Sequence, residues 1–190
     1  MPTYRLNEAG RPDVELVVHL DERHPVRLDD VLYVEVERLS VEEGLPAPDF
    51  TLTSDSGEEI ALESLRGRPV VLYFYPRDDT PGCTRQACRI RDAWGEFEKR
   101  GAVVLGVSPD SPRKHARFRE KYRLPFTLLA DEEHAVAEAY GVWVQKKLLG
   151  KKYMGIERST FVIDADGDVA KVMRRVKPDT HADDVLAALP

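Results

Sequence analysis

Two nearly continuous apolar runs, Val70–Tyr75 and Ala102–Val107, constrain the architecture of this chain more than any other feature. Each is short, rich in β-branched residues and bounded by turn formers. That is how a strand buried on both faces reads, and such strands occur mainly in parallel arrangements. Between them Cys83, Ala87, Ile90, Trp94 and Phe97 recur at spacings of four, three, four and three, the single stripe of an amphipathic helix. Strand, helix, strand is a crossover unit. It predicts an α/β fold with a central mixed β-sheet flanked by helices.

The remaining segments fit around that unit. Gly44–Asp49 is a turn-rich entry, and Phe50–Thr53 with Ile60–Leu62 reads as a short hairpin around Asp55-Ser56-Gly57. Leu62–Arg66 is expected to form one helical turn closed by Gly67, and a helix should run from a cap near Ser111 to Tyr122. Phe126–Ala130 reads as a strand, and Asp131 as the cap of a helix carrying Ala135, Val136, Ala139 and Tyr140 that stops at Gly141. The basic segment Val142–Gly155 shows few order signals and is read as a loop. Ser159–Asp164 and Asp168–Arg175 should pair across Ala165-Asp166-Gly167, followed by a last helix over Thr180–Leu189.

Upstream, Val14, Leu16, Val18 and Leu20 alternate with more polar residues, as do Leu32, Val34 and Val36. Two strands are expected, joined by the polar segment Asp21–Asp30. Residues 1–43 thus read as an N-terminal β-rich extension, a hairpin or strand appendage, and 44–190 as the main domain. The extension carries no catalytic pattern. It could pack on the domain or act as an oligomerisation arm, so monomer and dimer both stay open.

Charge narrows the partners. With 34 acidic and 28 basic residues the net charge is −6, the wrong sign for nucleic acid or an anionic membrane surface. The basic clusters Arg113–Lys121 and Lys146–Lys152 read as solvated faces or a loop. No apolar run is long enough to span a membrane. Glu15 and His19 interrupt the only early apolar run, which argues against a signal peptide and for a cytoplasmic protein. Two cysteines are too few for a disulfide scaffold, and five scattered histidines, at 19, 24, 115, 134 and 181, supply no paired metal-ligand spacing. The histidines are expected to be ordinary surface or partly buried residues.

The chemistry concentrates in YFYPRDDTPGCTRQAC, Tyr73–Cys88. The strand breaks at Pro76, the residues Asp78 to Gly82 supply turn and cap chemistry, and the helical pattern begins at Cys83. A helix N-terminus offers unpaired N–H groups and a partial positive charge, both favouring a thiolate. Cys88 lies about 140° around the helix from Cys83, with roughly 8 to 9 Å between Cα atoms. A disulfide needs roughly 4.4 to 6.8 Å, so the two sulfurs can bond only if the first turns unwind. The plainer reading is that both are small buried apolar side chains, but the Thr-Pro-Gly lead-in favours function.

Pro76-x-x-x-Thr80-x-x-Cys83, with Arg158 downstream in GIERSTFVID, resembles the active-site pattern of the peroxiredoxins, and Cys83-x-x-x-x-Cys88 narrows it to the Q type, also called bacterioferritin comigratory protein. The resemblance runs from about Leu45 to the C-terminus through APDFTL, GVSPDSP, KYRLPFTLLAD and AYGVW. It implies a thioredoxin-like fold and a thiol-dependent peroxidase for hydrogen peroxide and small organic hydroperoxides. Cys83 would be the peroxidatic cysteine, passing through a sulfenic acid, and Cys88 the resolving one, closing a Cys83–Cys88 disulfide that thioredoxin or a similar dithiol reduces. Thr80 would set its hydroxyl on the thiolate and the incoming peroxide. Arg158 would hold the sulfur ionised and polarise the peroxide, Pro76 would close the pocket to water, and Gly82 and Cys83 would lend backbone N–H groups. No metal or organic cofactor is called for.

Gln86 departs from the family's glutamate, and a neutral amide cannot form an ion pair with an arginine. Without the motif, Thr80 reads as a helix cap, Arg158 as a surface arginine, Asp78 and Asp79 as turn formers, and Trp94 and Trp143 as packing residues. A disulfide oxidoreductase is the weaker enzymatic alternative, because that chemistry usually uses C-x-x-C. A peroxide sensor signalling through the locally unfolded disulfide form is the non-enzymatic one.

Overall fold

A computed structural model of the protein describes residues 3–7, 14–20, 31–38, 41–148 and 150–189, with the first three segments and residue 148 described as backbone alone. The chain divides into two compact units, Met1–Ser40 and Val41–Pro190. In the first, strands β1 (Thr3–Asn7), β2 (Val14–Leu20) and β3 (Val31–Arg38) form an antiparallel sheet in that order. Leu16 sits opposite Val36 and Val18 opposite Val34, as the alternation predicts. Strand β1 was not expected, since TYRLN is too short and polar to show a period. The expected connection Asp21–Asp30 lies outside the described residues.

The second unit is built on a seven-stranded mixed sheet. In chain order its strands are β4 (Thr51–Ser54), β5 (Glu59–Ala61), β6 (Val70–Phe74), β7 (Val103–Ser108), β8 (Thr127–Ala130), β11 (Ser159–Ile163) and β12 (Val169–Met173), arranged β12-β11-β6-β7-β8-β4-β5. The three central strands β6, β7 and β8 are parallel, as the two apolar runs require, and β11 pairs antiparallel with β6. Alternate residues of β6 go to opposite faces. Val70, Leu72 and Phe74 join a core with Tyr140 and Phe161, while Val71 and Tyr73 join one with Ile90, Phe97, Phe118 and Val185.

The first of those cores is covered by a short helix α4 (Ala135–Ala139), the second by α1 (Pro81–Asp92), α2 (Trp94–Lys99), α3 (Pro112–Tyr122) and α5 (His181–Ala188). Leu62–Leu65 is the expected single turn, of 3₁₀ type.

Two expectations are corrected. The helix after Cys83 is two helices, broken at Ala93. The apolar stripe reports which face is buried, and Ile90 and Phe97 are buried on both sides of the break, so spacing alone could not reveal it. The expected loop Val142–Gly155 is instead a hairpin of β9 (Trp143–Leu148) and β10 (Lys151–Ile156), with Gly150 at φ 82° in its turn. Four consecutive residues of β10 are exposed, so no buried face marks the strand in the sequence.

Gly106 of β7 sits beside Tyr73 of β6. A Cβ at this position would lie 2.6 Å from the Tyr73 hydroxyl and 2.8 Å from Leu128 Cδ2, so the Tyr73 ring occupies space that only glycine leaves open.

The N-cap position of α4 falls to His134 rather than Asp131, but the Asp131 carboxylate, three residues earlier, still serves the helix start by accepting the N–H groups of Val136 at 3.2 Å and Ala137 at 2.8 Å. Asp131→Ala is expected to cost about 1–2 kcal/mol by stranding these buried donors, read as a lowered urea midpoint with an unchanged denaturant slope.

Candidate active site

The sheet brings the site together. Strand β11 runs antiparallel to β6 with Ser159 opposite Phe74, so the residue entering β11, Arg158, lies at the edge where the chain leaves β6. From that edge residues 75–80 lead into α1. Thr80 occupies the N-cap position, Pro81 follows, and Cys83 stands third in the helix. Pro81 has no N–H to lose and its fixed φ suits a first helical residue. The first intrahelical bond runs from Thr84 N–H to Thr80 O at 2.8 Å, leaving the amides of Gly82 and Cys83 without an intrahelical acceptor. The first turn has no acidic residue, while Arg89 and Arg91 sit in the last, so the helix's partial positive charge near Cys83 is unopposed.

Cys83 is 3% exposed and Cys88 partly buried, both as free thiols. Arg158 Nη2 lies 3.2 Å from Cys83 Sγ, and Nη1 of the same guanidinium donates to Gln86 Oε1. As a neutral amide Gln86 was expected to form no ion pair with an arginine. There is no ion pair, but the amide oxygen still accepts from Arg158. Gly82 approaches the same group, a Cβ there meeting Arg158 Nη2 at 3.5 Å. A permanent cation at hydrogen-bond distance stabilises negative charge on sulfur, or on an oxygen beside it.

The other expected site residues stand as follows. Thr80 is half-buried, and its hydroxyl donates to the Arg77 carbonyl at 3.1 Å and makes no side-chain cap bond. Pro76 is exposed. Asp78 and Asp79 are more than turn formers. The Asp78 carboxylate accepts from Tyr75 Oη at 2.6 Å and meets His115 Nδ1 at 2.8 Å, while its N–H donates to Asp110 at 2.7 Å. Asp79, at φ 54°, takes Lys121 Nζ at 2.6 Å and Tyr122 Oη at 2.5 Å, and these two donors hold its carboxyl below the usual range. The loop between β6 and α1 is thereby tied to α3.

Sequence reasoning missed two histidines. His115 and His181 are fully buried. His115 joins Asp78 to the Leu129 carbonyl, 3.1 Å from Nε2. His181 Nδ1 lies 3.0 Å from Gln86 Nε2, and its Nε2 lies 2.7 Å from Thr160 Oγ1. Gln86 and His181 are 95 residues apart, and no spacing rule connects them. The only available signal was Gln86 itself, a polar residue next to the stripe position Ala87. Among the described residues no group of histidine, cysteine or carboxylate side chains could hold a metal ion, and no helix is long and apolar enough to cross a membrane.

Comparison with known proteins gives the chain's relatives. The AhpC/TSA family model matches residues 44–172. The chain is 52% identical over 151 residues to a putative peroxiredoxin Bcp of Coxiella burnetii, covering 80% of this chain and all of that protein. It is 51% identical over 151 residues to peroxiredoxin Bcp of Bacillus subtilis, covering 80% and 96%. Among solved structures, the bacterioferritin comigratory protein of Xanthomonas campestris superposes with a TM-score of 0.74 at 39% identity, over 78% of this chain and 97% of that one. Peroxidoxin BcpB of Mycobacterium tuberculosis superposes with a TM-score of 0.70 at 42% identity, covering 78% and 96%. The class of protein these relatives define is a peroxidase. The chain belongs to the AhpC/TSA family of peroxiredoxins, and its relatives there are the Bcp, or peroxiredoxin Q, proteins.

Burial, and secondarily the positive Arg158, lower the pKa of His181 from 6.5 to about 4, against a smaller opposing effect of Asp184. The unfolded chain therefore takes up this proton first as pH falls. Stability associated with the neutral ring is complete above 6.5 and is lost as pH drops toward about 4, at about 1.4 kcal/mol per pH unit, on the order of 3 kcal/mol in all. Urea unfolding across this window should show that loss, and His181→Leu should flatten it.

Proposed function

We propose that this peroxidase reduces hydrogen peroxide and small organic hydroperoxides through Cys83 and Cys88, in the cytoplasm, with thioredoxin or a similar dithiol as reductant. The observation that carries this reading is Arg158 Nη2 at 3.2 Å from Cys83 Sγ, at a helix start with free amides. The Xanthomonas campestris relative is described for alkyl peroxide reduction, which favours organic hydroperoxides among the substrates.

The Cys83 thiolate attacks the hydrogen-bearing terminal oxygen of the hydroperoxide. A sulfur–oxygen bond forms as the oxygen–oxygen bond breaks, and the leaving oxygen departs with the electron pair and takes up a proton to become water or an alcohol. Negative charge spreads over sulfur and both oxygens in the transition state. Arg158 and the Gly82 and Cys83 amides are the donors that meet it. With its proton on Arg77 O, the Thr80 hydroxyl keeps its lone pairs for the O–H of the incoming hydroperoxide. Pro76 would restrict water at the mouth of the site, as the resemblance to the peroxiredoxins implies. Cys83 is left as a sulfenic acid.

Cys88 then displaces the hydroxyl, its thiol proton leaving with it as water, and a Cys83–Cys88 disulfide forms. Both cysteines lie within the unbroken helix α1, so this step requires that its first turns unwind. A dithiol returns both to thiols by exchange through a mixed disulfide.

Cys83→Ser is expected to abolish peroxide consumption. Cys88→Ser should reduce one equivalent and stop as sulfenic acid, whereas the unmodified chain with thioredoxin and its reductase should turn over many times. Consumption that stops at one equivalent in the complete system would point to a sensor instead. Intact mass after peroxide should show the loss of two hydrogens. Arg158→Met should slow Cys83 oxidation by about 100-fold or more in rapid-quench measurements, with little change in the urea midpoint.

A further inference from the structure

Gln86 is fully buried on α1 between the two cysteines, and both ends of its amide are bonded. Arg158 can only donate, so the atom facing it must be the amide oxygen. The NH₂ end then points at His181 Nδ1, 3.0 Å away, and that nitrogen must present a lone pair. The ring proton is therefore on Nε2 and is donated to Thr160 Oγ1 at 2.7 Å. The donor-only guanidinium thus identifies which way each bond in the chain Arg158–Gln86–His181–Thr160 runs.

The two ends of a glutamine amide are nearly the same shape, so packing alone does not choose between its two orientations. Reversed, the amide would turn its NH₂ toward the guanidinium, donor against donor, and Arg158 would lose the second anchor that holds Nη2 on the sulfur.

We propose that His181, from the carboxy-terminal helix, is a positioning residue for the reaction at Cys83. Its Nδ1 lone pair fixes the Gln86 amide, and the amide fixes Arg158. The inference rests on the reading of Cys83 as the sulfur that peroxide oxidises. His181 itself never touches sulfur or peroxide. The charged groups acting on the ring are Arg158, at the entry to β11, and Asp184 on its own helix. Burial and Arg158 keep it neutral down to about pH 4, so the acceptor is present throughout the neutral range. The ring is also packed against Tyr73, at 5.6 Å between centroids, which limits its freedom to turn.

The test measures Cys83 sulfenic acid formation by hydrogen peroxide, using rapid quench and intact mass in the Cys88→Ser background, with urea midpoints alongside. His181→Leu keeps apolar bulk and removes the acceptor. It should slow oxidation by about tenfold or more. His181→Asn can place its amide oxygen near the Nδ1 position and should recover to within about threefold of the parent, although it too lacks the bond to Thr160. A folded His181→Leu as fast as the parent, or a folded His181→Asn as slow as His181→Leu, overturns the proposal. Should His181→Leu not fold, Thr160→Val supplies the test. It takes away the acceptor that keeps the ring proton on Nε2 and should slow oxidation by about threefold or more, an unchanged rate again being decisive against it. A parent that forms no sulfenic acid rejects the reading of Cys83, and this proposal with it. A reactive parent with unaffected variants rejects this proposal alone.

Discussion

One guanidinium holds the reactive end of this protein in register. Arg158 reaches Cys83 with one prong and Gln86 with the other, and those two residues stand three apart on α1, a spacing that puts them on one face of a helix. A planar fork fits such a pair in a way a lysine's single point charge would not. For the contact to form, three separate matters must be right together: the pairing of β11 with β6, the phase of α1 from its start at Pro81, and the turn that joins strand to helix. The antiparallel neighbour of β6 is thus a structural condition of this contact as well as part of the core.

The electrostatic arrangement around that contact is asymmetric. Asp78 and Asp79 lie within five residues of Cys83 in sequence, yet each is bonded to side chains of α3, Asp78 to His115 and Asp79 to Lys121 and Tyr122. Their negative charge is engaged on the side of that helix. A neutral amide at position 86 works in the same direction. It orients the arginine without cancelling its charge, leaving the whole of that charge available at the sulfur.

What the sequence made legible follows from what kind of signal each feature leaves. The parallel strands β6 and β7 announce themselves because burial on both faces forces a continuous apolar run, and α1 because a helix on a sheet must repeat its apolar contacts. Cys83, Thr80 and Arg158 were visible through a motif. The hairpin β9–β10 was not, because its exposed strands leave no alternation. Nor was the break at Ala93, since both helices it separates bury the same stripe. His115 and His181 were read as ordinary surface or partly buried residues for a related reason. A buried polar side chain is explained by its partners, and those partners, Asp78 and Gln86, lie far away in the chain.

Tyr73 fits over Gly106 of the neighbouring strand β7. The Tyr73 hydroxyl has no hydrogen-bond partner among the described residues, so the ring is located by shape alone, against Tyr75, Phe126 and His181. A single methyl group added in the middle of a neighbouring strand has nowhere to go except through that ring. A substitution at Gly106 is therefore passed through the Tyr73 ring to His181, packed against it, so that a strand supplying none of the site's polar groups still bears on where they sit.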